Sequence, residues 1–172
     1  MGDQLALNLV EKHLVTDRLE LYVGYDTASL QQNHQPYDGK IRQDHYGRMV
    51  PEGAHGSARL PRLLSSSRIL SQAAGRLFAH IAHPKLLVRK LQLSAGRVLR
   101  EDAPETQPRQ LELFPDAQED AVTEELQRER RRQEAVLEIR QKLGKNAILK
   151  GMNLEEGATA RERNQQVGGH RI

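Results

Sequence analysis

Cysteine and tryptophan are both absent from this 172-residue chain, and aromatic residues make up only 3% of it. Without cysteine there can be no disulfide and no thiolate-bound zinc. With so few rings, any core must come from Leu, Ile, Val and Ala. A hydrophobic content of 37% makes that supply thin, which suits a small sheet-and-helix domain rather than a large enzyme core. Long apolar runs are missing too. No segment approaches ~18 apolar residues, and Met1–Leu5 shows no basic region leading into an apolar stretch, so neither a membrane span nor an export signal is expected. The expected location is the cytoplasm.

Several catalytic and ligand-binding patterns are equally absent. Gly24, Gly47, Gly56 and Gly96 stand in no GxxxxGK[ST] loop, which speaks against nucleotide binding. There is no HExxH. His80 and His83 are the only close histidine pair, at a helix end, so no metal is expected. Ser65 to Ser67, with His45 or His55 and Asp44, contain the residue types of a nucleophilic hydrolase but no GxSxG elbow. The acidic pairs Glu101-Asp102, Glu119-Asp120 and Glu124-Glu125 fall in polar stretches and read as solvated charges. No cofactor is expected.

What the chain does have is a charge pattern hidden beneath a net +3. Residues 1–100 hold 14 Lys/Arg against 8 Asp/Glu, residues 101–125 hold 1 against 9, and residues 126–172 hold 11 against 6. Two basic segments flank an acidic connector, and basic surfaces of this size suit a polyanionic partner.

In chain order, Asp3 is placed to cap a first helix carrying Leu7, Val10 and Leu14. A turn around Thr16-Asp17 is expected before a strand at Arg18–Tyr25, in which Leu19, Leu21, Val23 and Tyr25 alternate with polar positions. Thr27 to Ala54 is rich in turn formers and reads as a long hairpin connection or insert. A second strand is expected from His55 to Leu60, stopped by Pro61. Ser65 to Ser67 offer several N-caps for a helix with Ile69, Ala73, Leu77 and Ile81 four apart, ended by His83-Pro84. Leu86 to Ala95 follows as a third strand. The resulting α+β domain places two helices on one face of an antiparallel sheet. Its other face carries Tyr22, Ser57, Arg59, Lys90, Gln92 and Ser94. The expected organisation is a domain at 1–100, an acidic linker at 101–117, a charged helix at 118–144 and a basic polar tail at 145–172.

Within the linker, Gln110, Leu111, Glu112, Leu113 and Phe114 form an apolar word in surroundings too polar to build a core. It reads as a peptide that buries its side chains in a partner.

Asp17–Asp26, Asp44–Arg48, His55–Pro61 and Leu87–Lys90, with the tail words Lys145–Leu154, Glu156–Thr159, Glu162–Asn164 and Gly168 to His170, resemble the little-finger domain and C-terminal tail of Y-family translesion DNA polymerases, the ImpB/MucB/SamB-type repair proteins. The resemblance implies a βαββαβ domain that lays its open sheet face along DNA, chiefly against phosphates. Tyr22, Ser57, Arg59, Lys90 and Gln92 would take that role, with Ser65 and Ser66 near a helix N-terminus able to donate to a phosphate. It further implies a strand before the first helix, without which the sheet has an exposed edge. The pentapeptide is similar to the one by which bacterial polymerases dock on the sliding clamp, with Gln110 making polar contacts and Leu111, Leu113 and Phe114 filling an apolar pocket. The metal-binding palm carboxylates of that family have no counterpart here. The expectation is therefore a DNA-binding, clamp-tethering fragment without catalytic ability, whose partner could be a separately encoded catalytic portion. The alternative is an interaction module that docks on the clamp or on a polymerase without useful DNA affinity.

Overall fold

A computed structural model describes residues 1–32, 37–106, 117–167 and 170–171. The chain divides into two compact units, Met1–Phe114 and Pro115–Ile172. The pentapeptide 110–114 lies outside the described residues.

In the first unit, helix α1 (Gly2–Glu11) turns Ala6, Leu7, Leu9 and Val10 inward. Its N-cap is Met1, with Asp3 in the first turn rather than at the cap. His13, at φ 53°, reverses the chain directly into strand β1 (Leu14–Tyr25). The strand thus begins before the expected turn at Thr16-Asp17. A bulge explains the difference: the register against the neighbouring strand shifts between Thr16 and Arg18. Thr16 is fully buried, and its hydroxyl donates to the Arg18 carbonyl at 2.9 Å and accepts from the Arg18 N–H at 3.2 Å. The surplus residues of this irregularity lie on β4, and on β1 Val15 and Thr16 are both buried, which interrupts the period of two that marks a strand in sequence.

The insert after β1 contains a short helix α2 (Ser29–Gln32) and a small hairpin, β2 (Ile41–Gln43) paired with β3 (Met49–Pro51). Strand β4 (Ala54–Leu64) pairs antiparallel with β1. It runs through Pro61 instead of stopping there. Pro61 sits at the sheet edge, where the Thr16↔Leu64 and Arg18↔Arg59 pairings leave extra residues on β4, and a missing N–H is tolerated in such a place. Helix α3 (Ser67–Ile81) follows, then β5 (Val88–Ala95) and the short β6 (Val98–Arg100), both on the other side of β1. The order β4-β1-β5, with β6 continuing beside β1, makes β1 the centre of the sheet.

The fold class is α+β, with α1 and α3 covering one sheet face. Leu19, Leu60, Leu64, Leu70, Ala6 and Leu9 form one core cluster, and Leu21, Val23, Tyr25, Leu77 and Leu86 form a second. Polar ties hold the far end of β1. The Tyr25 hydroxyl accepts from the His83 N–H at 2.8 Å, and Ser29 Oγ accepts from the Leu87 N–H at 2.9 Å.

Of the three candidate serines, Ser66 caps α3. It is buried, extended in backbone, and its Oγ accepts the Ile69 N–H at 3.2 Å. Ser66→Ala is expected to lower the stability of this unit by about 1 kcal/mol, because that N–H loses its acceptor in a place water reaches poorly. All four tyrosines lie in this unit, so tyrosine fluorescence during urea unfolding reads the change directly. A loss under about 0.3 kcal/mol would show that the cap contributes far less than its geometry implies.

The second unit is built on α4 (Ala117–Leu143), about 40 Å long at 1.5 Å per residue. Ion pairs at i,i+4 spacing line it: Arg128 with Glu124 at 3.2 Å, Arg130 with Glu134 at 2.8 Å and Lys142 with Glu138 at 2.5 Å. Such pairs stabilise a solvated helix by about 0.2–0.5 kcal/mol each. After the helix, Asn164 Nδ2 donates to Asn146 Oδ1 at 2.8 Å, and Asn146 Nδ2 donates to the Arg161 carbonyl at 3.2 Å. These bonds clip the short helix α5 (Ala160–Asn164) to the segment that leaves α4, ahead of a last hairpin, β7 (Gln166–Val167) and β8 (His170–Arg171). No helix among the described residues is long and apolar enough to cross a membrane.

Candidate functional site

Strand pairing decides which side chains share the sheet face turned away from the helices. Glu20 lies opposite Ser57 and Ser94, Tyr22 opposite His55 and Gln92, and Gly24 opposite Lys90. Paired residues share a face, so these side chains converge from three strands. They border an open concavity of about 740 Å³, lined chiefly by Glu20, Tyr22, Arg42, His55, Lys90 and Gln92. Ser57 and Ser94 also line it.

Tyr22 stands at the centre of this concavity. Its hydroxyl accepts a hydrogen bond from Arg42 Nη2 at 2.7 Å, and its ring lies against His55 with centroids 4.6 Å apart. Arg42 arrives from the β2–β3 hairpin, so the insert supplies a cation to a surface otherwise made by the sheet. Gly24 leaves the space these groups need: a β-carbon there would lie 3.3 Å from the Tyr22 ring and 3.4 Å from Lys90 Cβ. Beside the concavity, Arg18 and Arg59 are cross-strand partners, two like charges placed directly opposite one another. That pairing is unfavourable unless an anion lies between or above the guanidinium groups. Among the described residues, none of Arg18, Arg42, Arg59 and Lys90 has an ion-pair partner. Glu20 is the one carboxylate among the described residues that lines the concavity. The neighbouring Arg89 is occupied by Asp26 at 3.2 Å, which helps hold that carboxyl below its usual range behind the larger contribution of the Ala28 N–H.

Tyr22, Ser57, Lys90 and Gln92 therefore come together in one place, and Arg59 lies on the same face one pair further along. Ser65 and Ser66 do not line the concavity; they sit at the N-terminus of α3. Gln110, Leu111, Leu113 and Phe114 are not among the described residues. Sequence reasoning did not place His55, Arg18, Glu20 or Arg42 on this face. The first three were accessible from alternation, because His55 shares the parity of Ser57 and Arg59, and Arg18 and Glu20 that of Tyr22. Arg42 carried no such signal. Its place depends on a contact across 20 residues.

The arrangement offers cations, hydroxyls, an amide and two rings in tilted contact on one exposed surface. Cations and neutral donors of this kind can bind an anion, and the rings offer a planar surface beside it. Among the described residues no three His, Asp or Glu side chains gather as metal ligands would. No protein-family model, no curated protein and no solved structure matches the chain.

Proposed function

We propose that this chain is a DNA-holding and sliding-clamp-tethering fragment of a Y-family translesion DNA polymerase, acting in the cytoplasm in damage bypass, with no catalysis of its own. The observation that carries the reading is the open sheet face on which Arg42 and Lys90 line a concavity with Tyr22 and His55, while Arg18 and Arg59 lie further along the same face beyond the Glu20–Ser57 pair. Phosphates are the natural counter-charge for four cations that have no carboxylate partner among the described residues, and the Arg18–Arg59 juxtaposition favours an anion there. Serine and glutamine on the same face add neutral donors to phosphate oxygens. The clamp attachment is assigned to Gln110, Leu111, Leu113 and Phe114. A catalytic partner would be a separately encoded palm.

If each of the four cations neutralises one phosphate, log K for duplex DNA should fall against log salt with a slope of about −3 to −4. Between about 50 and 200 mM salt that is a loss of about a hundredfold. Replacing Arg59 and Lys90 together by Gln should make the slope shallower by about 2. Fluorescence anisotropy of a labelled duplex measures both quantities. Absence of binding at the low-salt end defeats the DNA-holding reading.

One observation favours a second reading, that of an interaction module docking on the clamp or on a polymerase. In the second unit Leu143, Met152 and Leu154 expose 74%, 63% and 66% of their surface. Apolar side chains so open are candidates for burial in a partner. Clamp binding combined with no DNA binding at low salt would select this reading.

A further inference from the structure

The tip of the β2–β3 hairpin is fixed with unusual completeness for an exposed turn. Asp44 Oδ1 accepts the N–H groups of Tyr46 at 2.8 Å and Arg48 at 2.9 Å, while Oδ2 accepts Arg48 Nε at 2.9 Å and lies 2.7 Å from Nη2. The backbone closes over it, with the Asp44 N–H donating to the Arg48 carbonyl at 2.8 Å and the Gly47 N–H donating to the Asp44 carbonyl at 3.0 Å. Gly47 holds φ 77°, a turn geometry that glycine adopts readily, and Gln43 Nε2 donates to its carbonyl at 3.0 Å. Arg48 chiefly holds the Asp44 carboxyl below its usual range, so the clasp stays charged and closed at neutral pH.

All of this order presents one side chain. Tyr46 is 79% exposed, with the Arg48 guanidinium 5.2 Å from its ring centre and His45 edge-on at 5.5 Å. The hairpin does not hang free of the sheet. Val50, opposite Arg42, is buried, and Arg42 itself bonds to Tyr22 in the concavity. From Arg42 to Tyr46 is at most ~13 Å of chain, the reach of about four stacked nucleotides at 3.4 Å each.

We propose that Tyr46 is a stacking platform for an unpaired nucleobase of single-stranded DNA whose phosphates lie on the open sheet face. The proposal rests on the DNA-holding reading and adds a second site to it. A ring carried on a backbone turn fixed by Asp44 has less freedom to lose when a base covers it, and the Arg48 guanidinium packed over one face of the ring leaves stacking to the other. Bases inside a duplex are already stacked on both sides. The tip therefore discriminates single strands from blunt duplex, which the phosphate contacts alone do not.

The chain contains no tryptophan, so Tyr46→Trp introduces a single indole at the tip. Its emission should be quenched by an unlabelled oligothymidylate at low salt and left unchanged by a blunt duplex. Tyr46→Ala and Tyr46→Leu should weaken oligothymidylate binding by about fivefold to a hundredfold with the salt slope unaltered, since no charge is removed, and Tyr46→Phe should bind as the parent does. If the oligonucleotide binds with a salt-dependent affinity while the indole stays silent and Tyr46→Ala equals the parent, the platform is refuted and the phosphate surface stands. If Tyr46→Leu binds as the parent, the ring is not stacking and the platform is refuted as well. If neither single strand nor duplex binds at low salt, the DNA-holding reading fails and the platform with it.

Discussion

Leu70→Ala is expected to destabilise the Met1–Phe114 unit by about 2–5 kcal/mol, among the largest stability losses expected from a single truncation of a described residue. Leu70 has no exposed surface and packs among Ala6 and Leu9 of α1, Leu19 of β1, and Leu60 and Leu64 of β4. Its neighbours belong to three other elements, each held by its own backbone hydrogen bonds, so the vacated space cannot be closed by one small shift. The core has no tryptophan and almost no large rings with which to fill it. A unit of this size is stable by about 5–15 kcal/mol, so the substitution removes a large share of the total. Urea unfolding followed by tyrosine fluorescence should show a lower midpoint at an unchanged m-value. Leu143→Ala, in the second unit and 74% exposed, should stay within about 0.5 kcal/mol of the parent. A loss below about 1 kcal/mol for Leu70→Ala would contradict the packing of α3 described above.

That substitution also separates the core from the surface it supports. The cluster around Leu70 lies on the helical face of the sheet, whereas Tyr22, His55, Lys90 and Gln92 lie on the other. The two faces are joined only by the alternation of β1, β4 and β5. Leu19, Leu21 and Val23 fix the register from behind, and a slip of one residue would turn Glu20 and Tyr22 into the core. Packing of aliphatic side chains thus determines where the cations sit.

The parts of this arrangement that were legible in sequence are those with an uninterrupted period. Ile69, Ala73, Leu77 and Ile81 mark α3 at a spacing of four, and the alternation from Leu19 to Tyr25 separates the two faces of β1. The start of β1 was not legible, because Val15 and Thr16 are both buried, opposite an irregular stretch of β4, and so break the alternation. The run of β4 past Pro61 was hidden by a residue that usually ends a strand, and here occupies an irregular stretch of the edge. Strand β6 was obscured by Gly96-Arg97, which reads as a terminator although the chain resumes pairing with β1 two residues later. Three consecutive serines are equivalent by composition, and only the geometry singles out Ser66. The Arg42–Tyr22 bond is a tertiary product, and the clasped Tyr46 tip a local one, of a segment whose composition pointed only to a long hairpin connection or insert.

Replacing Gln110, Leu113 and Phe114 together by Ala is expected to abolish clamp binding, with an affinity loss of more than about a hundredfold, while DNA affinity and its salt slope remain unchanged. Leu113 and Phe114 supply the apolar area such a peptide buries, and fully burying a side chain of either kind contributes about 1.5–3 kcal/mol. Gln110 would be the polar anchor that sets the register. A few residues of this type carry most of the energy of a short docking segment, so their joint removal leaves little to hold it. The connector around them is strongly acidic, with 9 Asp/Glu against 1 Lys/Arg between residues 101 and 125. On the proposed reading, phosphates would repel such a segment and so would leave the peptide to the clamp when the basic sheet face holds DNA. The two attachments should therefore be separable, and an immobilised clamp with labelled duplex in solution measures them independently. If the triple variant keeps its clamp affinity, the tether is not the pentapeptide. Leu143, Met152 and Leu154 are then the exposed apolar side chains whose truncation should release the clamp.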